Sequence, residues 1–99
     1  MKIPDKIQII GSEIKTVYEQ LILDEVGSLA QFNSSFNEIR LKKICDNKEL
    51  GEDILFENYI HEILHASLHK LGHIELAKDE VFIEGLSNIW VQIIKQLKK

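Results

Sequence analysis

Residues 53–72 read DILFENYIHEILHASLHKLG, and the spacing of their apolar side chains defines a long helix around which the rest of the chain must be arranged. Phe56, Ile60, Ile63, Leu64, Ser67 and Leu71 recur every three or four positions, the period at which side chains line up along one side of an α-helix. Asp53 stands where an N-cap carboxylate would accept the free amides of a first turn, and Gly72 where a left-handed residue would end the last one. The spacing therefore predicts a helix over 54–71. All four histidines, His61, His65, His69 and His73, follow within this region, and the first two fall off the apolar stripe on its polar flank.

Toward the C-terminus, HIELAK reads as a loop and Asp79 as the N-cap of a second helix, EVFIEGLSNIWVQIIKQL. Its main apolar face is Phe82, Leu86, Ile89, Trp90, Ile93 and Leu97, widened by Val81, Ile83, Val91 and Ile94, so it should pack on more than one side. Toward the N-terminus the pattern changes to strands. KIQII, the turn-forming GSE and IKTVYEQLI alternate β-branched or aromatic with polar residues, and SLAQFN and FNEIRLKK flank a reversal at Ser34 and Ser35. Ile39 and Leu41 share one face, with Glu38, Arg40 and Lys42 on the other. The expectation is a three- or four-stranded, mostly antiparallel sheet within residues 5–43, a polar connector CDNKELGED, and two helices: an α+β fold in a single domain spanning 1–99.

Composition narrows the function. With 44% hydrophobic and 28% charged residues the chain has enough apolar material for a folded core. A net charge of -4 with dispersed lysines and arginines gives no basic stripe, so nucleic acid is not the expected partner. No apolar run approaches the roughly 20 residues that span a bilayer. The single cysteine, Cys45, excludes an internal disulfide framework, and MKIPDKIQII lacks the apolar run of a signal peptide, so the expected location is cytoplasmic.

The chemistry lies in HEILH, residues 61–65. Side chains four apart on a helix stand one above the other, so the imidazoles of His61 and His65 can reach one ion, and zinc takes such nitrogens at about 2.0–2.1 Å. Glu62 lies about 100° around the helix, outside the same ligand set but close enough to act on a water there as general base. His69 is excluded as third ligand, because eight residues of helix separate it from His61 by roughly 12 Å of rise. His73 is further still. The second helix offers Glu84, nineteen residues after His65, and Asn88 one turn later, which could fix a ligand histidine through its outer nitrogen. Glu80 is the substitute ligand if that helix enters at a different angle.

HEILH followed by EGLSNIW resembles the gluzincin branch of zinc metallopeptidases, in which the glutamate of an E-x-x-x-D string is the third ligand and its aspartate orients the first histidine. The resemblance implies Zn2+ held by His61, His65 and Glu84, with Glu62 activating water and Asn88 supporting a histidine. The chain departs from that pattern in having Asn at position 88, and in lacking a later segment with the histidine or tyrosine that stabilises the oxyanion. Over its whole length it resembles the minimal HExxH proteins of bacteriophages and prophages, through KIQIIGSEIKTVYEQL, EVGSLAQFN, NEIRLKK and a motif helix ending in Leu-Gly. That likeness implies a peptide or protein substrate paired with residues 28–33 as an edge strand. A zinc endoribonuclease pattern and the metzincin pattern both fail, since positions 68 and 71 are Leu. The alternative is a zinc-binding phage protein that acts as a binding or regulatory module without catalysis. A chain of this size has little room for a deep cleft, so a second copy could complete it, a homo-oligomer being one such arrangement.

Overall fold

The computed structural model describes residues 2–98, with Met1 and Lys99 outside the described residues. Strands β1 (Lys6–Ile9) and β2 (Ser12–Tyr18) form an antiparallel hairpin. It is closed by Ile10 and Gly11, at φ 48° and 76°, the paired positive angles of a two-residue turn whose twist suits the strands. The reversal thus begins one residue before the expected GSE.

The strand expected through IKTVYEQLI stops at Tyr18, and helix α1 (Gln20–Val26) replaces its second half. Its end explains why: Gly27 takes φ 69° and its amide reaches Asp24 O (3.3 Å), while that of Ser28 reaches Leu23 O (3.0 Å), a glycine-terminated helix stop. Only Leu23 of this segment is buried, so one apolar contact anchors the turn and a strand's alternating burial is not needed.

Strands β3 (Ala30–Asn33) and β4 (Glu38–Leu41) complete a four-stranded sheet of order β1-β2-β4-β3. The fold class is α+β, with a sheet that is mixed: β1–β2 and β3–β4 are antiparallel, β2–β4 parallel. Pairing Thr16 with Ile39 and Phe32 with Ile39 on its other side sets the register that turns Ile39 and Leu41 inward, both fully buried as their alternation implies. β3 is left as an edge strand.

Lys42 departs from the expected solvated face. Its stem is buried and its Nζ donates to Asp24 Oδ1 at 2.9 Å. Hydrogen bonds from Gln20 and Lys42 hold the Asp24 carboxyl below its ordinary 3.8, and the bond to Asp24 raises the Lys42 ammonium above 10.5. A lowered carboxylate stabilises the fold above its unfolded value and loses that contribution as pH falls through the folded one; a raised lysine loses its contribution only as pH rises through its own higher value. Asp24→Asn is therefore expected to lower the melting temperature modestly across neutral pH, Asp24 being half exposed, with the difference from the parent chain closing in strong acid. Thermal melts followed by circular dichroism against pH check it; a gap that persists below the carboxylate range would separate the effect from this ion pair.

The polar connector contains a small hairpin, β5 (Ile44–Cys45) with β6 (Lys48–Glu49), turned by Asp46 and Asn47 at φ 52° and 64°. Helix α2 (Glu52–Lys70) follows, with Gly51 rather than Asp53 at its N-cap; Asp53 lies in the first turn beside Glu52, where a carboxylate still complements the helix dipole. Its end is as expected. Gly72 has φ 85°, with Gly72 N bonded to His69 O and His73 N to Leu68 O, both at 3.0 Å.

Where HIELAK was expected to be a loop, the short helix α3 (Ile74–Ala77) forms before α4 (Glu80–Leu97), whose N-cap Asp79 accepts from Phe82 N at 3.1 Å as expected. Helix α2 is the middle layer. Tyr59, Ile60 and Ile63 pack on Ile14, Ile39 and Leu41 of the sheet, and α3 and α4 pack on α2 as well. Being covered from several sides, α2 buries Phe56, Tyr59, Glu62 and Ala66 rather than the single stripe its periodicity suggested, and Leu71 is exposed. In α4 the buried residues are Ile83, Ser87 and Val91; Phe82, Ile89, Trp90 and Leu97, expected as its packed face, are exposed. No helix among the described residues is long and apolar enough to cross a membrane.

Candidate metal centre

One turn of α2 separates His61 from His65, and their Nε2 atoms stand 3.2 Å apart. The first turn of α4 brings a carboxylate to both: Glu80 Oε2 is 3.1 Å from His61 Nε2, and Glu80 Oε1 is 3.0 Å from His65 Nε2. The other ring nitrogens are also engaged. His65 Nδ1 donates to the carbonyl oxygen of Ala77 at 2.6 Å, and because a carbonyl only accepts, that nitrogen carries the proton and Nε2 is left as a lone pair. His61 Nδ1 meets Glu84 Oε2 at 3.0 Å, a carboxylate oxygen able to accept the ring N–H and so leave Nε2 to face Glu80 as a lone pair.

Two imidazole nitrogens thus stand 3.2 Å apart, each facing a different oxygen of the Glu80 carboxylate at 3.0–3.1 Å. Without a cation such a set is repulsive, and a single shared proton satisfies only one contact at a time. For tetrahedral zinc with bonds of about 2.0–2.1 Å, neighbouring donor atoms are about 3.3 Å apart, a spacing that the 3.2 Å between the two Nε2 atoms fits. Among the described residues, His61, His65 and Glu80 form the group whose donor atoms could hold a metal.

This arrangement shifts two sequence assignments by one helical turn. Glu84, expected as the third ligand, holds the outer nitrogen of His61, while Glu80, the substitute, reaches the inner nitrogens. Glu84, not Asn88, therefore does the orienting of His61. The cause is α3: it uses up chain between the two long helices, and its Ala77 carbonyl meets His65, so α4 starts level with the histidines and presents its first turn. Glu80 and Glu84 keep the four-residue spacing expected of Glu84 and Asn88; Asn88 lies one further turn along.

Glu62, expected as the base, is 7% exposed and borders the same cavity. Burial pushes its carboxyl above the ordinary 4.5 and Glu80 adds to this, while His65, His61 and the Phe32 backbone oppose it. The cavity, about 560 Å3, runs between the edge strand β3 and the helices, with Gln31 and Phe32 on one wall and His61, Glu62 and Glu80 on the other. His69 lines this groove, its ring edge-on to Phe32 with centroids 5.9 Å apart, outside the ligand set as helical rise requires. His73 is exposed at the start of α3.

Asn58 is the lining residue that sequence reasoning missed. Its Nδ2 is buried without a hydrogen-bond partner, and it precedes Glu62 by one turn on the same side of α2. A polar residue at a helical interval from HEILH was the available signal. No protein-family model, curated protein or solved structure matches this chain.

Proposed function

We propose that the protein is a zinc-dependent metallopeptidase of a minimal zincin-like kind, acting on an extended peptide or protein segment. The observation that carries this reading is the convergence of His61 Nε2, His65 Nε2 and the Glu80 carboxylate beside a buried glutamate in a cleft bordered by a strand edge. A zinc ion held there would polarise a substrate carbonyl and make a neighbouring water more acidic. Glu62 takes the proton from the attacking water and returns it to the amine nitrogen as the C–N bond breaks. Its burial, which disfavours its charged form, suits a group that must hold a proton between the two steps. Residues 28–33 include β3, whose outer edge offers main-chain groups for an extended substrate to extend the sheet. The free Cys45 suits a reducing compartment, and we place the protein in the cytoplasm.

Metal analysis of protein purified without a histidine tag is the direct test. About one zinc per chain is expected, falling close to zero in His65→Ala, together with cleavage of members of a broad peptide library. A metal content near zero would overturn the proposal. Bound zinc without any cleavage would leave the non-catalytic binding module as the reading.

A further inference from the structure

Helix α4 carries its polarity in reverse. Its charged side chains are Glu80, Glu84 and Lys95, and all three turn toward α2: the glutamates to His61 and His65, Lys95 to Glu57 at 3.6 Å. At about 100° per residue, the outward half of the helix holds Val81, Phe82, Gly85, Ile89, Trp90 and Leu97, with glutamines at 92 and 96, and no charge along all 18 residues. These apolar side chains are left in solvent: Val81 is 86% exposed, Phe82 39%, Ile89 54%, Trp90 43% and Leu97 77%. A solvated face would carry the charges and a packed face would be covered. This one does neither, which marks an interaction surface.

We infer that the outer face of α4 pairs with the same face of a second copy, in an antiparallel two-fold helix pair. The stripe matches itself on reversal. With the axis between Ile89 and Trp90, Phe82 of one copy meets Leu97 of the other, half-buried Leu86 meets half-buried Ile93, and Ile89 meets Trp90. A helix of this length is about 27 Å long. A specific dimer needs about 1,200 Å2 in all, about 600 Å2 per copy, and the exposed apolar surface of Phe82, Ile89, Trp90 and Leu97 is what this pairing covers. The interface is uncharged from end to end, so no ion is desolvated to form it.

Analytical ultracentrifugation of the full chain over roughly 1–200 μM, a range that brackets micromolar affinity, tests the pairing. A dimer is expected, with the emission of Trp90, the sole tryptophan, shifting to shorter wavelength as it forms. Ile89→Glu, at an exposed position where folding is not at stake, should give a monomer with unchanged circular dichroism and at least about tenfold weaker association. A parent chain that stays monomeric throughout the range overturns the inference, as does a dimer unaffected by Ile89→Glu. Binding of the monomer to phosphatidylcholine vesicles in place of self-association would equally overturn it.

Discussion

Glu80→Gln is expected to weaken zinc binding by at least about a hundredfold, against about tenfold for Glu84→Gln. The asymmetry follows from which nitrogen each carboxylate meets. Glu80 stands against both Nε2 atoms, so neutralising it removes a donor and the negative charge that offsets the cation. Glu84 touches only His61 Nδ1, where an amide oxygen can still accept the ring N–H, though with less support for the basicity of Nε2. Competition with a fluorescent zinc chelator measures both. Equal losses, or a larger one for Glu84→Gln, would return the third-ligand role to Glu84.

Glu62→Gln is expected to leave zinc affinity within about threefold and to reduce peptide hydrolysis by roughly a thousandfold, the scale of a positioned proton-transfer group. The amide has the size of the carboxyl and occupies a buried position that already disfavours charge, so the fold should tolerate it. What it loses is the ability to take a proton from water. Single-turnover cleavage on the metal-loaded chain provides the measure, and activity retained in Glu62→Gln would require a different base. Because metal content is read independently, loss of activity through loss of zinc is recognisable.

The two histidines and Glu62 were legible because their relation is local: helical pitch alone stacks positions 61 and 65 and sets 62 aside. The same holds for Gly72 and Asp79, whose capping roles need only their own turn of chain. Short elements were less legible. The first residues of helix α1, Gln20 to Ile22, continue the alternating run of the strand before it and so read as strand, and β5 and β6 are two residues each, too brief to show any period. The four-residue helix α3 was equally invisible, yet it decides the site, since its presence sets where α4 begins relative to the histidines.

By itself the sequence determined the α+β class, the motif helix and the pair of histidines with their neighbouring glutamate, because these depend on periodicity and on contacts within a few residues. Tertiary structure decided the rest. The parallel joining of β2 to β4, the placing of Glu80 against both Nε2 atoms with Glu84 on His61 Nδ1, and the rotation that leaves Phe82, Ile89 and Trp90 in solvent each depend on how one element is set against another. A helix wheel identifies an apolar side without saying which neighbour covers it, and a one-turn shift of α4 moves its side chains by about 5.4 Å, more than a metal–ligand bond can span.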